Sequence, residues 1–309
     1  MRISTACAFT ALFAASAALG DDPKKVDLVY RWDQLDGKTA VYDSEVVSKT
    51  LQESHMATVG SDEGANEPEG ENQKVEVDTT TKQRLLLSFK QGAHERATVT
   101  VTTERSQVEM TIKALANTET YNYDSANPPK EVPEKLKALI PDLQRKPYTL
   151  TVTRRGVVEK IEGLPGAKPA DMKGTFLVLP EHPLGEGESW NSVKRDPAGS
   201  YGDVVQRTTF KLVKVSEKDE RRVEAAITTE LDQSKAELPR GVIAKIEKPT
   251  GKGHVTLDAR GLKVEEETES GYEFYVKQVS DLRQIEGSEK RITTLATFRW
   301  KLVEVKDAK

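Results

Sequence analysis

The side chains that could do chemistry in this chain are few. Its histidines are His55, His94, His182 and His254, and none has a second histidine three to five residues away, so the helical HExxH zinc pattern is absent. His94 is followed by Glu95 but lacks the partner position. The nearest approach to a nucleophile elbow is Ser189 in Gly187-Glu188-Ser189-Trp190, where Asn191 stands in place of the glycine that such a strained turn needs. Gly251-Lys252-Gly253 lacks the spacing and hydroxyl of a phosphate loop and reads as a turn entering a strand. Glu265-Glu266-Glu267 reads as a solvated face, with nothing to pair its carboxylates for glycoside chemistry. The expectation is a protein that is no enzyme and uses no metal or cofactor. Large aromatic side chains remain as the candidate binding groups. Trp32, Trp190, Phe298 and Trp300 are the expected liners of a site for an apolar ligand, each being equally suited to filling a core.

The elements that would position these residues read as strands. After position 20 the chain carries 29 Val and 27 Thr, residues whose branched Cβ packs well on a pleated surface. Val26, Leu28, Tyr30 and Trp32 alternate, as do Ala97, Val99 and Val101, then Val108, Met110 and Ile112. Val223, Ala225 and Ile227 repeat the pattern, as do Tyr272, Phe274 and Val276, and Ala296, Phe298, Trp300 and Leu302. Period two means one buried and one wet face, the mark of antiparallel sheets. Asp36-Gly37, Gln91-Gly92, Arg155-Gly156 and Arg260-Gly261 place a glycine where a hairpin needs positive φ. The fold class is therefore mainly β, an antiparallel meander with one or two short helices. Leu136, Leu139, Ile140 and Leu143 have the spacing of a short helix laid across the sheet, which Pro141 keeps from being long.

Residues 148–162 and 253–267 match at a constant offset, each as strand, Arg-Gly turn and charged strand. This leaves open either a duplication or two hairpins converged on one turn type. A duplication predicts two similar curved-sheet or half-barrel modules, residues 21–168 and 169–309, meeting in the Gly- and Pro-rich stretch 163–174. Residues 60–72, rich in acid and glycine with no large apolar side chain, read as a mobile loop inside the first module; their spacing does not match an EF-hand.

Met1-Arg2, an uncharged apolar run from Ile3 to Leu19 and small residues up to Gly20 form the pattern of a secretory signal peptide cleaved after Gly20. The single cysteine, Cys7, lies inside it, so the remaining chain forms no disulfide. No later segment is apolar enough to span a bilayer as a helix. The expected location is the periplasm or the exterior. The formal net charge of -4 gives no reason to expect nucleic acid.

The most distinctive run is Leu179 to Trp190, LPEHPLGEGESW, in which prolines fix extended backbone, glycines allow tight turning and Trp190 supplies an anchor. Together with the Tyr148 to Val152 strand and the two Arg-Gly hairpins, it resembles a family of uncharacterised secreted bacterial β-rich proteins, a domain of unknown function. That resemblance implies export and a β-rich fold and supplies no catalytic residue. In layout alone the chain is also similar, more distantly, to the half-barrels that carry lipoproteins or lipids in the bacterial envelope. The functions in play are binding of an apolar small molecule or lipid and, as the alternative, a structural or interaction module of the envelope with a protein partner.

Overall fold

The computed structural model describes residues 25–56, 71–115, 117–137, 146–172, 174–216, 220–234, 236–238, 240–278 and 288–308. The export signal read at residues 1–20 and residues 60–70 of the acidic segment lie outside them.

The described chain is antiparallel β-structure with two one-turn helices. Its strands are β1 (Lys38–Met56), β2 (Glu71–Gln91), β3 (Arg96–Ala114), β4 (Asn117–Asp124), β5 (Tyr148–Thr153), β6 (Val158–Glu162), β7 (Ser189–Pro197), β8 (Asp203–Val215), β9 (Arg221–Asp232), β10 (Val242–Leu257), β11 (Lys263–Gln278) and β12 (Ser288–Asp307). They form one 12-stranded sheet in the order β6-β5-β3-β2-β1-β12-β11-β10-β9-β8-β7, with β4 added beside β3. The sheet is open, β6 and β7 being its two ends. The strands on either side of residue 168 are not separate sheets, because β1 and β12 pair from Lys38↔Asp307 to Met56↔Ser288 and join the two halves at the centre.

A row of bulges bends this sheet. Glu104 is left unpaired between Arg105↔Arg84 and Thr103↔Leu85, and Val303 between Glu304↔Val41 and Leu302↔Tyr42. Leu85 and Tyr42 are themselves partners, so the two bulges lie at one level. Val264 in β11 and Val213 in β8 are skipped in the same way farther along. Each extra residue bends its strand and increases local twist. On one side of the row the sheet wraps a core of fully buried residues, among them Val99, Leu150, Val152, Leu212, Val223 and Leu257. On the other side the long strands run on with most residues half-exposed or exposed, apart from local buried spots such as the cluster of Val108, Tyr123 and Leu136.

Two non-strand segments thread that core. Residues 26–31 alternate like a strand but form none: Val26 makes an isolated bridge to Leu184, and the chain then runs between the two Arg-Gly hairpins. The Tyr30 amide donates to Arg154 O and the Arg31 amide to Arg260 O, both at 2.9 Å. The segment ends in helix α1 (Trp32–Leu35). The hairpins share a turn geometry, with Gly156 at φ 80° and Gly261 at φ 86°. Their places differ, since β5–β6 ends the sheet and β10–β11 lies inside it. The second segment is the Pro- and Gly-rich connection from β6 to β7, which crosses from one end of the sheet to the other.

Two local readings need correction. The Gln91-Gly92 connection does not place positive φ on its glycine; His94 (φ 55°) and Glu95 (φ 59°) carry it. Gly251-Lys252-Gly253 is no turn but the middle of β10, where a Cβ on Gly253 would lie 2.5 Å from Thr268 Cγ2, so the glycine lets neighbouring backbone approach closely. The expected short helix exists as α2 (Glu134–Lys137), with Leu136 fully buried against Val108 and Tyr123; Leu139, Ile140 and Leu143 lie outside the described residues.

The outer face is laced with cross-strand ion pairs, among them Asp43–Arg84, Arg105–Asp124, Arg195–Asp232 and Arg299 between Glu45 and Glu267. Hydrogen bonds from Arg84, Arg105 and Arg195 hold the carboxyls of Asp43, Asp124 and Asp232 below the ordinary value of 3.8. A depressed folded-state value means that this stabilisation is present above the unfolded value and is lost as pH falls through the folded one. The thermal midpoint is accordingly expected to fall steeply below about pH 4. A midpoint unchanged between pH 5 and pH 2.5 would remove these pairs from the stability account.

Candidate functional site

The connection between β6 and β7 does more than link strands. From Gly174 to Pro180 it runs as a strap over the inner face, and three side chains tie it down. The buried Tyr30 hydroxyl donates to Leu177 O (3.3 Å) and accepts from the Leu177 amide (3.0 Å), and burial raises its pKa. Trp190 Nε1 donates to Val178 O at 2.8 Å. Lys263 Nζ donates to Gly174 O at 2.9 Å.

Between strap and sheet lies a cavity of about 390 Å³. Its roof is Phe176, Leu177 and Val178; its apolar floor is Phe210 on β8, Ile227 on β9 and Phe298 on β12. Period-two register brings these together, since Thr208 pairs with Ile227, and Thr268 with Phe298. One wall is polar, with Ser192 and Lys194 on β7 beside Thr208 and Gln206 on β8. Lys263 and Glu266 close one end. The inner face continues past Phe298 as half-exposed Val46, Ala296, Tyr272, Phe274, Ile292 and Val276, whereas the outer face of the same strands carries Glu267, Glu269, Arg291 and Arg299.

The Lys263–Glu266 pair is the most shielded charge pair described. Nζ and Oε2 are 2.7 Å apart, with side chains 4% and 15% exposed. Burial pushes the Lys263 amine below its usual 10.5, with Glu266 opposing. The Trp300 ring lies 4.0 Å from Nζ, a cation–π contact that favours the charged form.

Of the four aromatics singled out from sequence, Phe298 lines the cavity directly. Trp300 stands behind it, with ring centroids 6.0 Å apart, and is itself stacked on Tyr42 at 5.1 Å. Trp190 backs the opposite wall, stacked on Phe210 at 5.2 Å. Trp32 belongs to the core, stacked on Tyr30 at 4.9 Å and touching the roof only through Phe176. Lys263, Glu266, Phe176, Phe210 and Ile227 were not expected as site residues. Glu266 hides in a triple-glutamate run, yet its register against Trp300 turns it inward.

A second cavity, of about 790 Å³, is lined by His94, Glu95, Arg154, Arg155 and His182. Its arginines serve the fold: Arg155 binds Asp27, Leu28 O and Glu181 O, and Arg154 binds Asp27 and Glu95. Among the described residues no group of three or more His, Cys, Asp or Glu could hold a metal ion, and no helix is long and apolar enough to cross a membrane.

Fold and site together define an open, bulge-bent antiparallel sheet with a strap-roofed apolar cavity on its inner face. No protein-family model and no curated protein matches the chain. Among solved structures it is similar to lipovitellin, in a structure described as lipid-protein interactions in lipovitellin, at 11% identity and a TM-score of 0.44 over 89% of this chain and 26% of that one.

Proposed function

We propose that this is an exported, non-catalytic protein that binds an apolar small molecule or lipid beneath the strap. The observation that carries the reading is the cavity: six apolar side chains line it, and it opens onto an inner face of half-buried apolar residues. Ligand sites are concave, mainly apolar and a few hundred Å³ in size, with a small number of placed polar groups. Export rests on the pattern of residues 1–20. An envelope interaction module is favoured less, because the exposed large apolar side chains among the described residues, Leu115, Val157, Ile243, Leu295 and Val303, stand singly on different turns and strands or well apart on one strand.

The test fills the cavity. The protein is expected to bind N-phenyl-1-naphthylamine saturably at one site. Thr208→Trp, which adds an indole at a half-exposed cavity position, is expected to weaken that binding at least about tenfold. Its thermal midpoint should stay within about 3 °C of wild type, the change being at a half-exposed position. Equal binding by wild type and variant, or no saturable binding by wild type, overturns the reading.

A further inference from the structure

The face that continues from the strap cavity constrains how long its occupant is, an inference that rests on the apolar-ligand reading. Phe298 and Thr268 line the cavity and are cross-strand partners, and their row runs on through Val46, Thr81 and Val108. Four successive rows on this face, from that of Phe298 to that of Ile292, cross β3, β2, β1, β12 and β11 without one charged side chain. The three rows interleaved with them face outward and carry seven, Lys49, Asp78 and Glu269 among them. Apart from Val108, every residue of the four inner rows is half-buried. An antiparallel sheet commonly wets its charged face and packs the other. Here the charge-free face stays half-packed, and a contiguous apolar face of this kind marks a site of interaction.

Side-chain size gives that face a shape. The middle strands β1 and β12 carry Ser48, Thr50, Ala296 and Thr294, while larger residues stand to either side, Met110 and Ile112 on β3, Tyr272 and Phe274 on β11. Small side chains between large ones leave a trough along the strands. Two troughs laid face to face would enclose a void where close packing is needed, so a second copy fits poorly and a flexible hydrocarbon chain fits well. At 3.4 Å per residue the trough runs about 20 Å from Phe298 to Ile292. Acyl chains in one leaflet of a bilayer span about 15 Å.

We infer that the ligand is a lipid with a chain of membrane length, which starts beneath the strap, passes Phe298 and lies in the trough over Ala296 and Thr294. The cavity holds one end of the molecule and the trough the rest.

The full chain is tested by competing octan-1-ol and octadecan-1-ol, at equal free concentration, against N-phenyl-1-naphthylamine. Thr294→Lys places a charge in the trough two rows beyond Phe298, and Thr293→Lys places the same charge on the outer face as a control. Thr294→Lys is expected to weaken octadecan-1-ol at least about tenfold and to leave octan-1-ol and the naphthylamine within about twofold of wild type. Thr293→Lys should leave all three unchanged. If Thr294→Lys fails to fold, wild type decides: octadecan-1-ol should move the amide resonances of Tyr272, Ile292 and Thr294, which octan-1-ol leaves in place. Equal octadecan-1-ol binding by wild type and Thr294→Lys, or unmoved trough resonances, overturns the inference and leaves the apolar-ligand reading intact. A ligand-free dimer that Thr294→Lys dissociates, seen by sedimentation, overturns it in favour of a second copy on this face. Failure of both alcohols to displace the naphthylamine removes both readings.

Discussion

Gly156→Ala is expected to destabilise the protein by about 3 kcal/mol, against about 1 kcal/mol for Gly166→Ala. Both glycines have φ of 80°, so the strain of placing a Cβ in the left-handed region is common to the two. The gain from a stiffer unfolded chain is also common to both. They differ in surroundings. A Cβ on Gly156 would lie 2.3 Å from Leu177 O and 2.8 Å from Tyr30 Cε2, whereas one on Gly166 meets nothing within 4 Å. Relief would require moving the strap or the core segment 28–31, which hydrogen bonds from Tyr30 tie to each other. At about 2–4 °C per kcal/mol for a chain of this size, the thermal midpoint of Gly156→Ala should fall by roughly 6–12 °C. Paired melts decide it: equal shifts for the two variants would mean that the Arg155-Gly156 hairpin does not press against the strap. A second readout follows from the same geometry, since displacing Leu177 disturbs the roof of the cavity and should weaken naphthylamine binding in Gly156→Ala but not in Gly166→Ala.

The strands were legible in the sequence because alternation survives wherever the ladder is regular. Val108, Met110 and Ile112 in β3, Tyr272, Phe274 and Val276 in β11, and Ala296, Phe298 and Trp300 in β12 all lie on the inner face, as period two requires. The bend was less visible. In β3 the inward residues change parity between Val101 and Val108, and the structure places the unpaired Glu104 at that break. A parity change within one strand is the trace that a bulge leaves in sequence. Residues 26–32 show the converse case. Their alternation is real, but the backbone bonds go to hairpin carbonyls and one isolated bridge, a pairing set by distant turns that no local pattern encodes.

The site divides in the same way. Phe298 follows from alternation alone. The roof does not, because Phe176 lies in an aperiodic stretch whose position is fixed by Tyr30, Trp190 and Lys263, residues 146, 14 and 87 positions away in the chain. Lys263 sits immediately before the skipped Val264, so the bulge turns inward a residue that simple alternation with Glu265 and Glu267 would place on the wet face. Charge runs are read as solvated from composition, and for Glu265 and Glu267 the register agrees. Glu266 escapes because burial of a carboxylate depends on its partner, and that partner is decided by the bulge.

The Lys263–Glu266 pair yields the second large effect. Glu266→Gln is expected to cost about 3 kcal/mol, because it leaves an ammonium 4% exposed with neutral acceptors, the new amide oxygen and Gly174 O, and the Trp300 ring in place of a counter-charge. The double variant Lys263→Met/Glu266→Leu removes both charges and keeps apolar volume, and should lie within about 1 kcal/mol of wild type. A double-mutant cycle closed by the single variants Lys263→Met and Glu266→Leu should therefore give a coupling of about 2 kcal/mol or more. The pH dependence has a definite sign. The folded-state pKa of Lys263 lies below its unfolded value of 10.5, so as pH climbs toward 10.5 the native amine loses its proton first and the unfolded chain binds more protons. Stability withheld by the buried charge returns over that rise, and it returns more in Glu266→Gln, where no carboxylate opposes deprotonation. The gap in midpoint between Glu266→Gln and wild type should thus narrow as pH rises from 7 toward 10. A gap constant across that range would mean that Lys263 reaches water when its partner is removed. The strap would then be free to lift at Gly174, because the same Nζ that loses Glu266 also holds that carbonyl, and the cavity would lose part of its roof along with its charge pair.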